Sequence, residues 1–352
     1  MESASKEGNQ SPGCYRLYGH IGSPYSMKVR ALLRYRHIPH VFLGQKESWM
    51  QAFAKVRVPV MPVLEYPDGT FHNDSTPLLL DLEGRHGGRS IVPDRESDAF
   101  LAFLLEDLAD EWLSKAMYAY RWAYPEHTGW TGRLIAYDQN FGGGLEHLEA
   151  AGSAFEARQV GRNALVGCTP ENLPTLMEIA GRVLDAMETM VPQGGFLFGS
   201  RPSLADFAIF GQISQFIVDF AALEPCRKRA PYTMRWVQHM HDLSGHTGQW
   251  REDGQELPDA VSHLLALAGE AYLPFLLANE QAIADDAEEF SLPVGERIYT
   301  QAPFRYQAKC LNELRFRFAQ LSPDARRVVT PILAEHHCLG PLETTGQETL
   351  VS

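Results

Sequence analysis

The sequence is short of positive charge. Its 352 residues hold 31 Lys and Arg against 44 Asp and Glu, a net charge of −13. That balance argues against a broad nucleic-acid or anionic-membrane surface, and no nucleic-acid partner is expected. Cysteines are few: Cys14, Cys168, Cys226, Cys310 and Cys338 are odd in number, widely spaced and include no CxxC pair. Such usage suits free thiols in a reducing compartment better than a disulfide framework, so a cytoplasmic location is expected. No apolar run reads as long enough to span a bilayer, and no membrane partner is expected. The polar start, MESASKEGNQSPG, lacks the apolar core of a secretion signal and reads as a disordered leader over residues 1–14. Metal-ligand spacing is also missing. His239 and His241 fall on different faces of a helix, and His336-His337-Cys338 lies near the chain end, so no metal is expected. Gly142-Gly143-Gly144 has no strand before it and no Lys-Ser/Thr after it, so it reads as a loop between helices and not as a phosphate cradle. Repeats and low-complexity tracts are absent.

What is present is an ordinary globular balance, 45% hydrophobic and 21% charged, in a chain longer than one core usually holds. Two or three units are expected. Residues 15–92 alternate in type. Tyr15 to Tyr18 reads as a strand, 24 to 36 as a helix, His40 to Leu43 as a second strand, and 62 to 66 as a third. Pro67-Asp68-Gly69 turns into a fourth strand over Thr70 to His72. Asp74-Ser75-Thr76-Pro77 then opens a helix, with Asp or Ser as its cap. The order is β-α-β, a linker, then β-β-α, the layout of a thioredoxin-like domain. From 93 to 248 the periodicity is almost wholly helical. Residues 96–124 form one long amphipathic helix with a possible kink, and Ser203-Leu204-Ala205-Asp206 is a capping box ahead of another. Residues 249–340 read as helix, hairpin, helix and a last helix from Ser322-Pro323 to Gly340. Residues 341–352 are a tail.

Four features, in this order, resemble the glutathione S-transferase superfamily. The first is a strand followed by Ser23-Pro24-Tyr25-Ser26 at a helix start. The second is Val60-Met61-Pro62-Val63-Leu64, like the segment with a cis-proline before the third strand. The third is Asp74-Ser75 after the hairpin. The fourth is the Ser203–Asp206 box in the helical part. Together they cover residues 15–245, and residues 249–340 lie outside them. The resemblance implies an α/β thioredoxin-like N-terminal domain, an all-α helical bundle, a mostly helical C-terminal extension, and a homodimer.

It also implies glutathione as co-substrate. A free thiol with a pKa of about 8.5 is mostly protonated at neutral pH, and lowering it by about two units takes roughly 2.7 kcal/mol of preference for the anion. A helix N-terminus with a hydroxyl donor supplies that kind of preference. Ser23 is placed to do so, and Pro24 at the first helical position costs no hydrogen bond. Taken alone, Ser23 would be read only as a helix cap; the other three motifs favour the thiol-activating role. Tyr18 and then Ser26 follow as alternative hydroxyls. In thioredoxin-like folds the first position of this turn faces the substrate and the fourth is more buried.

By the same resemblance Met61, ahead of a cis bond to Pro62, presents its backbone to the cysteinyl part of glutathione, as an added strand would. Pro59 is the rival proline. Ser75 would bond the γ-glutamyl carboxylate and Asp74 its ammonium, with Asp in place of the commoner Glu. Lys55 and Arg57 are candidates for the glycyl carboxylate. Trp112, Tyr118, Arg121 and Trp122 would line the pocket for an apolar electrophile, although aromatic residues on such a helix are more often core than ligand contacts. Ser203 and Asp206 belong to folding, where such a cap is worth about 1 kcal/mol.

The activity expected is attack of glutathione thiolate on an apolar electrophile: conjugation, ether or halide displacement, or isomerisation. The SPYS and Asp-Ser pairing is also similar to bacterial β-etherase-like members. The alternative is a non-catalytic docking module of the same fold. Thiol-disulfide exchange is disfavoured because positions 23 and 26 are not cysteine.

Overall fold

The computed structural model describes residues 13–343. The leader expected over 1–14 falls outside them except for Gly13 and Cys14, as does the tail from 344 onward.

The chain opens with β1 (Tyr15–Tyr18), α1 (Pro24–Tyr35), β2 (His40–Leu43), α2 (Lys46–Phe53), β3 (Val63–Glu65), β4 (Phe71–Asn73) and α3 (Ser75–Arg85). The sheet order is β2-β1-β3-β4. β1 runs parallel to β2, with Leu17 opposite Phe42, and antiparallel to β3, with Leu17 opposite Leu64. β3 and β4 form the expected hairpin. This is a thioredoxin-like mixed sheet. The segment expected as a linker holds α2, whose Trp49 and Ala52 face inward three residues apart. Two inward residues give too short a periodic signal to read from sequence.

The helical part follows with α4 (Glu96–Leu108), α5 (Ser114–Trp122), α6 (Pro125–Gln139), α7 (Leu145–Val160), α8 (Leu173–Met190), α9 (Leu204–Phe216), α10 (Phe220–Arg229) and α11 (Pro231–Met240). The kink expected in the first long helix is a π segment, Ala109–Leu113, between α4 and α5. Such segments often sit at functional sites. The Ser203 box is present: Ser203 caps α9, and Asp206 accepts from the Ser203 amide at 2.8 Å. α9 is buried all round and packs on α1 and α4. Glycine is required where it meets α1, since a Cβ on Gly211 would lie 2.7 Å from the Pro24 carbonyl.

The last block contains α12 (Asp259–Leu267), α13 (Leu273–Ala284), a hairpin of β5 (Phe290–Val294) and β6 (Arg297–Gln301), α14 (Arg305–Gln320), α15 (Pro323–Glu335) and α16 (Leu339–Glu343). Gly340 does not end the last helix as expected. α15 stops at Glu335, His337 turns the chain at φ 58°, and Gly340 lies inside α16.

A second correction concerns apolar length. Asp259–Ala284 is one 26-residue helix, through a π segment at Ala268–Tyr272, and is long and apolar enough to cross a membrane by length and composition. The stretch reads as helix from the sequence; its apolar length is what differs from expectation. Two-thirds of its apolar window is buried within the protein, where it packs against α8 and α14. α14 and α15 lie on α4, and one continuous apolar core runs from the sheet through the helical part into this block.

Candidate active site

The turn from β1 to α1 is held from three sides. Ser23 donates its amide to the His20 carbonyl at 3.0 Å. Arg121 of α5 donates to the Gly22 carbonyl at 2.6 Å, and Gln215 of α9 to the Ile21 carbonyl at 3.2 Å. A Cβ on Gly22 would meet both His20 and Ile135 of α6 at 3.1 Å, so the turn lies tightly on that helix. His20 is buried, and burial with the Arg121 charge pushes it down to about 4, so its imidazole is neutral at physiological pH.

Ser23 caps α1, its Oγ accepting from the Ser26 amide at 3.2 Å. No bond in which the Ser23 hydroxyl donates is present among the described residues. Its proton is therefore available at the positive end of α1. The two alternative hydroxyls are placed differently. Ser26 is fully buried, with no partner for its Oγ among the described residues, beneath Gly19, where a Cβ would come within 2.2 Å of that oxygen. Tyr18 donates to Glu65 at 2.6 Å.

Met61 and Pro62 are joined by a cis peptide, and Pro62 is buried at the foot of β3. The Met61 backbone makes no hydrogen bond among the described residues. Asn73 donates to the Val58 carbonyl at 2.6 Å and ties the preceding segment to β4. Lys55 and Arg57 are exposed after α2, without an ion-pair partner among the described residues.

Asp74 and Ser75 depart from expectation. Asp74 occupies the capping position of α3, but its backbone is at φ 75° and its side chain makes no capping bond. Its carboxylate instead accepts from the hydroxyl of Tyr306, on α14, at 2.9 Å. Ser75 is the first helical residue, is buried, and donates to Asp110 at 3.3 Å. For Ser75 to donate to a ligand carboxylate it would have to leave Asp110.

Beneath this pair lies a charged network with no counterpart in the sequence reading. Lys28 of α1 is fully buried, with Glu106 of α4 and Asp110 of the π segment as its ion-pair partners, the latter at 2.6 Å. Thr76 donates to Glu106 at 2.6 Å, and Tyr25 donates to the Asp110 carbonyl at 2.8 Å. Burial alone would pull the Lys28 ammonium down, but Asp110 and Glu106 outweigh it and hold it above the ordinary lysine value. The C-terminal block closes the other side. Tyr272 donates to Asp107 at 2.6 Å and Gln307 to Glu111 at 3.4 Å.

Asp107 has a measurable consequence. Burial, opposed by the Tyr272 hydrogen bond and reinforced by the Glu106 charge, pushes its carboxyl up to about 7. The unfolded value is near 3.9. The folded state therefore keeps a proton that the unfolded state releases, and this contribution to stability is full below about pH 4 and lost as pH rises through 7. The thermal midpoint should fall between pH 5 and pH 8, and fall less in Asp107→Asn, whose amide still accepts from Tyr272. Equal slopes in calorimetric scans of the two proteins would exclude Asp107 as the titrating group.

The residues expected to line an electrophile pocket do not converge on one. Trp112 is fully buried against Phe275 and Tyr299 of the C-terminal block, with centroids at 4.5 and 5.0 Å. Trp122 is buried against Phe155. Tyr118 donates to the Gln159 carbonyl at 2.7 Å. Arg121 pairs with Asp219 at 2.7 Å and anchors Gly22. Their helix is wrapped by neighbours on every side, so its aromatic residues went to core. Exposed apolar side chains occur instead at Ile21, within the Ser23 turn, at Tyr137 of α6, and at Phe141 just beyond that helix; the last two rings stand 5.4 Å apart. Phe141 also lines a cleft with Gln45 and Glu47 at the start of α2.

Residues 17–90 match the family model of the glutathione S-transferase N-terminal domain, and residues 170–239 that of its C-terminal domain. Among solved structures the chain is similar to the β-etherase LigF of Sphingobium sp. strain SYK-6, at 18% identity over 64% of this chain and 94% of that one, with a TM-score of 0.45. It is also similar to a glutathione S-transferase of Methylobacterium radiotolerans in complex with glutathione sulfonate, at 18% identity over 69% and 98%, TM-score 0.39. A third is a glutathione transferase family member of Pseudomonas fluorescens with bound glutathione, at 16% identity over 64% and 93%, TM-score 0.35. No curated protein matches the sequence.

Proposed function

The chain belongs to the glutathione S-transferase superfamily, and from that premise we propose that it is a glutathione-dependent enzyme in which Ser23 stabilises the glutathione thiolate for attack on an apolar electrophile. The observation that carries the reading is the Ser23 hydroxyl, whose lone pair takes the Ser26 amide and whose proton has no acceptor among the described residues. A sulfur anion at the start of α1 would receive that proton as a charge-assisted hydrogen bond, within the favourable field of the helix end. The cysteinyl backbone would pair with Met61, the γ-glutamyl group would lie at Asp74 and the start of α3, and Lys55 or Arg57 would meet the glycyl carboxylate. The electrophile would approach past Ile21 and the exposed face of α6, where apolar side chains meet solvent. Conjugation, ether or halide displacement and isomerisation all begin with this thiolate.

The five cysteines are unpaired, which supports a reducing, cytoplasmic setting. The homodimer belongs to the same reading, and light scattering tests it.

The deciding experiment is calorimetric titration with glutathione, with the ultraviolet thiolate band followed against pH. Binding with a thiolate band near neutral pH is the expected result. No binding at millimolar glutathione would overturn the reading and leave a non-catalytic docking module as the better account.

A further inference from the structure

We infer that Tyr306, carried on α14 of the C-terminal block, is a positioning residue of the glutathione site: its hydroxyl holds the Asp74 carboxylate in the orientation that receives the γ-glutamyl ammonium. The inference rests on the glutathione reading and extends the site to a part of the chain that neither family domain match covers.

The geometry is specific. Tyr306 is 232 residues from Asp74 in sequence, yet its hydroxyl stands 2.9 Å from Asp74 Oδ2. Asp74 gains from an external hold. Its φ of 75° lies in a region that residues other than glycine rarely adopt, and its carboxylate makes no full capping bond to α3: the Thr76 amide acts on it more weakly than the Tyr306 hydroxyl. The two hydroxyls at the start of α3 are committed elsewhere, Ser75 to Asp110 and Thr76 to Glu106. Among the described residues the side-chain donor that orients the aspartate is therefore Tyr306 of α14.

A phenol suits that task. It is a neutral donor, so it fixes one oxygen without cancelling the charge that attracts an ammonium. A carboxylate has about four acceptor positions, so one tyrosine leaves room for a ligand cation. Burial and the Asp74 charge both push the phenol well above its ordinary value, so it stays a donor at any physiological pH. Tyr306 remains 38% exposed, which puts the pair at the surface, where a ligand can reach it. The rest of α14 is fixed independently. It packs on α4 and α13, and the Asn279 side chain clasps the Phe304 backbone just ahead of it, accepting at 2.7 Å and donating at 3.1 Å. Loss of one hydroxyl leaves that docking in place.

The test compares two ligands and three variants by calorimetry. Glutathione carries the ammonium, and N-acetylglutathione does not. The variants are Tyr306→Phe, Asp74→Asn and the double substitution. Tyr306→Phe should weaken glutathione by about 3- to 10-fold, the range of one hydrogen bond, and leave N-acetylglutathione unchanged. Asp74→Asn should remove the preference between the ligands, and adding Tyr306→Phe to it should change little more. Unchanged affinity, tighter binding, or equal loss for both ligands in Tyr306→Phe would overturn the inference while leaving the glutathione reading intact. If the wild-type protein binds neither ligand, both fall together.

Discussion

Lys28→Met should lower the stability of the folded protein by about 3–5 kcal/mol at pH 7.5, the range for removing one partner of a buried ion pair. Exposed pairs elsewhere on this chain, such as Lys228 with Glu224, belong to the class worth about 0–1 kcal/mol. The difference is desolvation. Lys28 and Glu106 are essentially without solvent exposure, and Asp110 has little. Without the ammonium, two carboxylates face each other in a dry interior, with hydroxyls from Thr76 and Ser75 as partial compensation. Their remaining relief is to take up protons. The deficit of Lys28→Met should therefore be smaller at pH 4.5 than at pH 7.5, because ionisation of the freed acids is what destabilises the variant. Adding Glu106→Gln and Asp110→Asn should recover much of the loss, which separates a charge effect from a packing effect. Denaturant unfolding at the two pH values measures both. A loss below about 1 kcal/mol at pH 7.5 would mean that Lys28 contributes no more than an exposed pair.

The same network ties three parts of the chain to one point. Lys28 comes from α1, Glu106 and Asp110 from α4 and the π segment, and Thr76 and Ser75 from the start of α3. Asp110 is touched by the lysine, by Ser75 and, through its carbonyl, by Tyr25. The start of α1 and the start of α3 thus share a buried anchor. A thiol site at the first and a γ-glutamyl site at the second need a fixed separation, and this anchor supplies it.

Much of this was open to a reader of the sequence, and the boundary is physical. Strand, turn and cap signals are local. Ser23-Pro24 before a helical repeat, Pro67-Asp68-Gly69 between two β runs, and Ser203 three residues before Asp206 each carry their meaning within a few positions, and the structure has them in place. Burial of a polar residue is not local. Lys28 precedes Arg30 and Arg34 on the same helix and looks like part of a solvated flank; only Glu106 and Asp110, far along the chain, make it a core residue. One signal was available. Glu106, Asp107, Asp110 and Glu111 interrupt a stretch that is otherwise nearly all apolar, and acids on a buried helix imply partners. Trp112 illustrates the converse. On an amphipathic helix it fits a pocket or a core equally well, and Tyr272, Phe275 and Tyr299 of the C-terminal block decide for core. The Tyr306–Asp74 contact left no trace in the sequence at all, since nothing in the repeat of α14 says which helix its first turn meets.

Ser23→Gly should reduce turnover with glutathione and an activated aryl halide by about 10²- to 10³-fold, the typical effect of removing one preorganised donor to a developing or bound anion. Glycine is the informative replacement. The hydroxyl has two tasks at this position, capping α1 and donating to sulfur, and alanine removes both at once. Glycine is itself a tolerated capping residue and costs only a few tenths of a kcal/mol relative to serine, against about 1 kcal/mol for alanine. Stability should therefore hardly change in Ser23→Gly, while the acidic limb of the pH–rate profile moves up as the bound thiol drifts towards its free value of about 8.5. Some activation should persist, because the first amides of α1 and the dipole behind them are untouched. Ser23→Thr keeps a hydroxyl and a capping oxygen in the same place, and should restore part of the rate. A Ser23→Gly protein with unchanged rate and pH profile would reduce Ser23 to a helix cap, and would move the donor role to a group other than Tyr18, which is committed to Glu65, or Ser26, which is sealed beneath Gly19.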